Sequence, residues 1–244
     1  MTFKKPVIAL LTLTILSCIS SKKDPTVEHA AGVSIIGAMR NVMLKGDLQD
    51  RLSLDTIANK TGLYGLGPLS HLQGELLIND GKNYISRVTT NGSLEVKKSY
   101  DASAPFFVYS NVDKWEEIVL PDSIATIQDV EKYIGERTSK ISSPFAFKLK
   151  GTVAHAKIHV LNLPEGAKVS SPAEAHENQV DYDIKNEKAE IIGFYSTEHK
   201  GVFTHHDSNT HMHLITADEL KMGHLDELQI ENMSLYLPEG HSQQ

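Results

Sequence analysis

The stretch Thr210-His211-Met212-His213-Leu214, followed after a short polar interval by Gly223-His224, decides how this chain folds and where its chemistry sits. In an extended strand, side chains two apart share one face at a spacing of roughly 6–7 Å. His211 and His213 therefore stand side by side, while Met212 and Leu214 turn the opposite way into a core. The interval carries Thr216, Asp218, Glu219 and Lys221, enough polar chain to turn and bring His224 back beside the pair. Three neutral imidazoles converging on one point make an open Zn²⁺ site, with a position left for an acid ligand, water or substrate. An isolated His-x-His is commonplace; the third histidine at return distance, with a glycine before it, is what points to metal.

Working outward, the N-terminal residues read as a leader and not as fold. Lys4 and Lys5 form a basic start, and Val7 to Leu16 is an apolar run too short to span a bilayer. The run ends in Ile15-Leu16-Ser17-Cys18, which resembles a bacterial lipobox, so Cys18 is the expected lipidation site. It is the only cysteine, which excludes a disulfide within the chain. The expected organisation is a signal peptide over residues 1–17, a tether over 18–30, an N-terminal lobe over 31–150 and a C-terminal lobe over 151–240. The expected address is the cell envelope, with the membrane reached by the lipid anchor alone. A net charge of -7 argues against nucleic acid, which is held by clustered Lys and Arg. No Gly-x-Ser-x-Gly elbow occurs, and Gly62-Leu63-Tyr64-Gly65-Leu66-Gly67 lacks the Lys-Ser/Thr of a phosphate-cradling loop.

Periodicity predicts helices over 35–45 and 123–134, with a short capped helix at Ser53–Ala58. Strands are predicted at Gly74–Ile78, around the Asn79-Asp80-Gly81 turn, at 93–97 and at 106–109. From Pro144 onward the pattern is mostly β, with strands at 145–149 and 152–160 and a polar surface loop over 164–178. Residues 179–184 and 189–195 are expected to pair with each other around Lys185–Lys188. An α/β first half and an antiparallel β second half make an α+β chain.

The ordered landmarks Gly65-Leu66-Gly67, Gly74-Glu75-Leu76, Asp80-Gly81-Lys82, Gly151-Thr152-Val153, Gly193-Phe194-Tyr195, Thr210 to Ile215 and Met222-Gly223-His224 resemble the α-acetolactate decarboxylase family. The resemblance runs from about Ala31 to Pro238. It implies a homodimer of two-lobed subunits, each a mixed β-sheet lobe plus a small antiparallel β-barrel. It implies metal-dependent decarboxylation of 2-acetolactate to acetoin through a zinc-stabilised enediolate. His211, His213 and His224 are the implied Zn²⁺ ligands, and Glu75 matches an active-site glutamate. The chain departs from the family at three places. Pro68 stands where the family has Thr, His159 where it has a catalytic Arg, and only Glu239 follows the last strand where the family's tail supplies a further glutamate. His159 is thus a candidate proton donor or ligand without the fixed fork of a guanidinium.

Other residues carry weaker expectations. His155 and Lys157 share the strand face of His159; the lysine would supply charge for a substrate carboxylate. His205, His206 and Asp207 read as a solvated loop, and Glu131, Asp226 and Glu227 as solvated face charges. Two alternatives stand beside the 2-hydroxy-3-oxo acid decarboxylase: a lyase or isomerase acting on another keto acid, and a non-catalytic envelope lipoprotein that binds metal or a small ligand.

Overall fold

The computed structural model describes residues 1–2, 27–141 and 144–241, so the apolar leader and Cys18 lie outside the described residues. The chain begins with β1 (Val27–Ala30), β2 (Val33–Ile36), α1 (Met39–Lys45), β3 (Leu52–Ser53) and a 3-10 turn at Leu54–Thr56. It continues through β4 (Leu63–Pro68), β5 (Glu75–Asn79), β6 (Lys82–Val88), β7 (Leu94–Lys98), β8 (Ser103–Ala104), β9 (Phe107–Asn111) and β10 (Trp115–Val119). Then come α2 (Ile127–Arg137), β11 (Phe145–Val160), α3 (Pro172–Ala175), β12 (Val180–Tyr195), β13 (Thr210–Thr216) and β14 (Met222–Pro238).

These strands form two main sheets. Seven strands lie in the order β1-β2-β9-β4-β5-β6-β7; five lie in the order β10-β14-β11-β12-β13, and β13 also pairs with β14. That extra pairing closes β14, β11, β12 and β13 into a small antiparallel barrel with β10 on its edge. The fold is α+β. The first sheet, expected to be mixed, is antiparallel at every described pairing.

Several sequence expectations are corrected by tertiary context. Ile35 and Ile36 belong to β2, and helix α1 starts only after Gly37, because both isoleucines are buried in a sheet. The tether's last residues form β1. Ser53–Ala58 contracts to the 3-10 turn. Helix α2 begins at Ile127, where Thr126 and Asp129 make a reciprocal capping box. Residues 180–195 form one continuous strand against β11 instead of a hairpin on themselves. The 150/151 lobe boundary falls inside β11, and β10, from the first half, joins the second sheet. The glycine-rich 62–67 segment carries the buried strand β4. A Cβ on Gly65 would come within 2.7 Å of the Phe107 ring, so glycine there permits close packing.

Inside the barrel, Phe147, Leu149, Ile158, Ile191, Met212, Leu214, Leu225 and Leu235 form one apolar cluster, sealed by Val130 and Ile134 of α2. The outer face of the barrel packs on the first sheet along a second seam that includes Leu66, Leu77, Ile192, Phe194, Ile215 and Met222. The site described below sits at one end of that seam. No described helix is long and apolar enough to cross a membrane.

Candidate active site

Strand alternation places the two histidines of β13 where the sequence predicts. Met212 and Leu214 face the barrel core, and His211 and His213 face the seam, 3% and 0% exposed. The β13–β14 turn returns His224 directly opposite His213 in the ladder. Ring centroids lie 5.1 Å apart for His211–His213, 5.1 Å for His211–His224 and 5.6 Å for His213–His224. Gly223 is required by the crossing of β14 over β11: a Cβ there would meet the His159 carbonyl oxygen at 2.5 Å.

Glu75, the first residue of β5, reaches the cluster from the other sheet. It is 2% exposed, its Oε2 lies 3.7 Å from His213 Nε2, and its Oε1 accepts the Leu161 N–H at 3.4 Å. Burial pushes the Glu75 carboxyl well above the usual range, with the charge of Asp226 adding to it and the Leu161 N–H opposing. Burial, then neighbouring imidazoles, holds His211 and His213 well below the usual histidine range. Both shifts favour the uncharged forms of Glu75 and His213. The Nδ1 of His211 and both ring nitrogens of His213 are buried without a hydrogen-bond partner of good geometry; the Phe203 backbone bears on the His211 ring and the Leu76 backbone on the His213 ring. Such orphaned nitrogens cost about 1–3 kcal/mol each when nothing satisfies them. Three neutral imidazoles and one carboxylate are the donor set that Zn²⁺ takes, and orphaned lone pairs fit that ion.

His159 is brought to the same place. It is 4% exposed, and its ring stacks on His224 with centroids 4.6 Å apart. Its Nδ1 lies 2.8 and 2.9 Å from the two oxygens of Asp226, and His224 Nδ1 lies 3.2 Å from Asp226 Oδ1. These two hydrogen bonds hold the Asp226 carboxyl below its usual range despite burial. His224 is pushed down to about 3, first by burial and then by the charge of His159. His159, His224 and Asp226 are also close enough together to hold a metal ion.

Asp226 is thus a site residue that the sequence reading assigned to solvent. The only signal is irregular: His159 pairs with His224 and Ile158 with Leu225, but Lys157 pairs with Glu227, leaving Asp226 as the extra residue of a β-bulge. Strand parity cannot anticipate a bulge. His205 is a second miss. It lines the cavity, with Nε2 3.0 Å from His224 Nε2, whereas His206 is exposed as expected. His176 is a third: the 164–178 excursion folds back through α3, and His176 joins the cavity wall beside His159. Glu131 accepts hydrogen bonds from Ser208 at 2.6 Å and Thr210 at 3.1 Å, so it anchors the start of β13 to α2.

Three candidates are not brought in. His155 pairs with Asp183 at 2.8 Å and Lys157 with Glu227 at 2.7 Å, on the solvent-facing stretch of the outer barrel face. Glu239 pairs with Lys114 at 3.5 Å, exposed and away from the histidine cavity. The cavity itself holds about 20 Å³, walled by Met39 and Met43 of α1, Pro68, Phe106, Leu161, Glu75 and His159, His176, His205, His211 and His224, while His213 stands outside its lining. That is room for an ion or a water. A wider cleft, of about 730 Å³, lies elsewhere and has no histidine in its lining.

Fold and site together define an α+β protein of two packed sheets, with a histidine-lined pocket of metal-binding type between them. The family model described as alpha-acetolactate decarboxylase matches residues 34–243. The chain belongs to the alpha-acetolactate decarboxylase family. It is similar to the alpha-acetolactate decarboxylase of Brevibacillus brevis, 26% identical over 203 residues, 82% of this chain and 68% of that one. It is also similar to that of Bacillus subtilis, 26% identical over 230 residues, 89% of this chain and 84% of that one. The crystal structure of the Bacillus subtilis protein shares the fold at a TM-score of 0.65 and 23% identity, covering 82% of each chain. A Staphylococcus aureus protein of unknown function, described as similar to alpha-acetolactate decarboxylase, shares it at a TM-score of 0.66 and 18% identity over 82% of each chain.

Proposed function

We propose that this chain decarboxylates 2-acetolactate to acetoin at a zinc centre held by His211, His213 and His224, with Glu75 beside it. The observation that carries the reading is the set of buried, partnerless nitrogens on His211, which lines a cavity of about 20 Å³, and on His213, whose ring centroid lies 5.1 Å from that of His211. A bound Zn²⁺ would supply Lewis-acid stabilisation for the negative charge left when CO₂ departs. Glu75 and the apolar wall of Leu161, Phe106, Met39 and Met43 keep water away from that charge. His159 is the proposed donor: as an imidazolium with its Nδ1–H held by Asp226, it gives the Nε2 proton that C2 takes up once the C1–C2 bond has broken, and is left as the neutral Nδ1–H ring. His224 Nε2 now accepts from His205 at 3.0 Å, and a cation bound by His224 would take that lone pair instead. A hydroxy-keto acid exceeds the cavity, so entry requires the α1 and 164–178 cover to shift. CO₂ and acetoin released from racemic acetolactate by the zinc-loaded full chain, and abolished by a chelator, are the expected result; neither product from folded, zinc-loaded protein would overturn it.

A second reading keeps the centre and changes the substrate to another keto acid. Pro68 and His159, both in the cavity wall, support it, because they alter groups that meet substrate. Metal-dependent turnover of another keto acid, with none of acetolactate, would select it. The reading also includes export, a lipid anchor at Cys18 and a homodimer. The lipobox-like Ile15 to Cys18 supports the anchor. Incorporation of a palmitate analogue, lost in Cys18→Ser, checks it, and light scattering checks the dimer.

A further inference from the structure

Two imidazoles in this site share one carboxylate. Asp226 lies within hydrogen-bond distance of Nδ1 on both His159 and His224, and Oδ1 is common to both contacts. An ionised carboxylate only accepts hydrogen bonds, so each Nδ1 must carry the proton. Each ring then turns its Nε2 edge away from Asp226. The two rings are stacked, their planes 27° apart. On His224 the Nε2 lone pair is therefore free to act as a donor atom, and the contact with His205 follows, with His205 N–H donating. On His159, Nε2 becomes the only atom that exchanges a proton with the cavity.

We propose that Asp226 is a dual positioning residue: one carboxylate, aimed by the β14 bulge, fixes the tautomer of the metal-side His224 and of the substrate-side His159 at once. The inference rests on the decarboxylase reading for the roles of the two rings, but the hold itself does not depend on metal. Carboxylates that orient ligating histidines in this way typically change metal affinity about 10- to 100-fold when removed. Asp226 differs from such an orienter in serving a second ring that holds no metal in this account. Its loss should then impair two things that are separable elsewhere, whereas loss of His159 should impair only one.

The bulge explains why this residue can do both. In an unbroken ladder each residue of β14 faces one partner on β11. Here Asp226 has no Cα partner, while His159 and His224 are paired directly with each other. The unpaired residue follows the histidine pair by two positions and is bent back beneath both rings. Because one oxygen, Oδ1, faces both rings, an amide carbonyl in its place could still accept from both, so the discriminating change is Asp226→Leu, which keeps the size and removes every acceptor.

The test uses the full chain as wild type, Asp226→Leu, His159→Ala and the double variant, with folding checked by circular dichroism. Zn²⁺ affinity is read by competition with a chromophoric chelator. Imidazole ¹⁵N spectra of metal-free protein report the tautomers, and acetoin formation is followed at saturating zinc. The expected result is Nδ1–H on both rings in wild type, lost on both in Asp226→Leu. Zinc affinity falls about 10- to 100-fold in Asp226→Leu and holds in His159→Ala. At saturating zinc, Asp226→Leu stays as slow as His159→Ala, and the double variant is no slower than either. Wild-type tautomers in Asp226→Leu, or full recovery of its turnover by zinc alone, would overturn the shared role. Wild-type protein that shows the Nδ1–H pair but binds no zinc would sink the metal reading and leave the hold of Asp226 standing.

Discussion

The same strands build both ends of the seam between the sheets, and the two ends treat polar groups in opposite ways. Strand β5 supplies Glu75 at one end and Asn79 at the other; β13 supplies His211 at one end and Thr216 at the other. At the open end, polar groups satisfy one another near water. Glu190 receives Asn79 and Lys150, each at 2.7 Å, and Glu219 receives the Tyr84 hydroxyl at 2.7 Å. At the closed end, His211 and His213 are buried with nitrogens that no protein group satisfies. Leu77 lies on β5 between the ends and Ile215 walls the wide cleft, so the apolar middle of the seam divides a wide polar cleft from a narrow pocket of buried histidines. Cluster size does not make the closed end chemical, because the larger cavity is at the open end. Desolvation does: it keeps the imidazoles neutral and leaves lone pairs without partners.

That comparison can be broken most directly at His213. His213→Ala deletes a fully buried, partnerless ring and is expected to lower metal-dependent turnover by at least about a hundredfold, since even outer-sphere losses reach that size. Zinc analysis and acetoin assay check it; an active, zinc-bearing variant would mean that the closed end is not the centre. Next in size, His159→Ala should cost about 10²–10⁴ in turnover at saturating zinc, the usual worth of a positioned proton donor, with zinc content unchanged. A drop in zinc content would make His159 a ligand instead.

Two stability measurements sharpen the divide. Leu77→Ala opens a hole in the apolar middle and should destabilise the fold by about 2–5 kcal/mol, read by urea denaturation. Zinc at about a thousandfold over Kd should raise stability by about 4 kcal/mol, and that gain should vanish in His213→Ala. The smallest effect belongs to the open end. Glu190→Gln loses a partly solvated ion pair and should cost about 0–1 kcal/mol, without change in zinc content or turnover. A turnover loss there would show that the two ends communicate.

The divide also explains what the sequence could disclose. Period-two alternation in 210–214 is local physics, so the pairing of His211 with His213, and the core-facing Met212 and Leu214, were legible. The return of His224 followed from a turn of ordinary length, and Glu75 entered through the family resemblance. What escaped depends on the chain's distant parts. Asp226 is aimed by a bulge that strand parity does not foresee, and it looks like any other surface acid. His205 and His206 are neighbours of the same type, and only packing against His224 separates the buried one from the exposed one. His176 comes from a polar excursion whose composition reads as surface, yet α3 docks near α1 and seats it beside His159. In β4, glycines that usually interrupt a strand are needed for packing on Phe107.

The most direct test of the closed end is a titration of zinc into chelated protein with acetoin formation followed at each step. The account predicts a rate that rises in proportion to bound zinc and levels off at about one ion per chain, three histidines making one site. It predicts no such rise in His213→Ala. Equal acetoin formation by the chelated protein, or a zinc-dependent rate that survives His213→Ala, would contradict it.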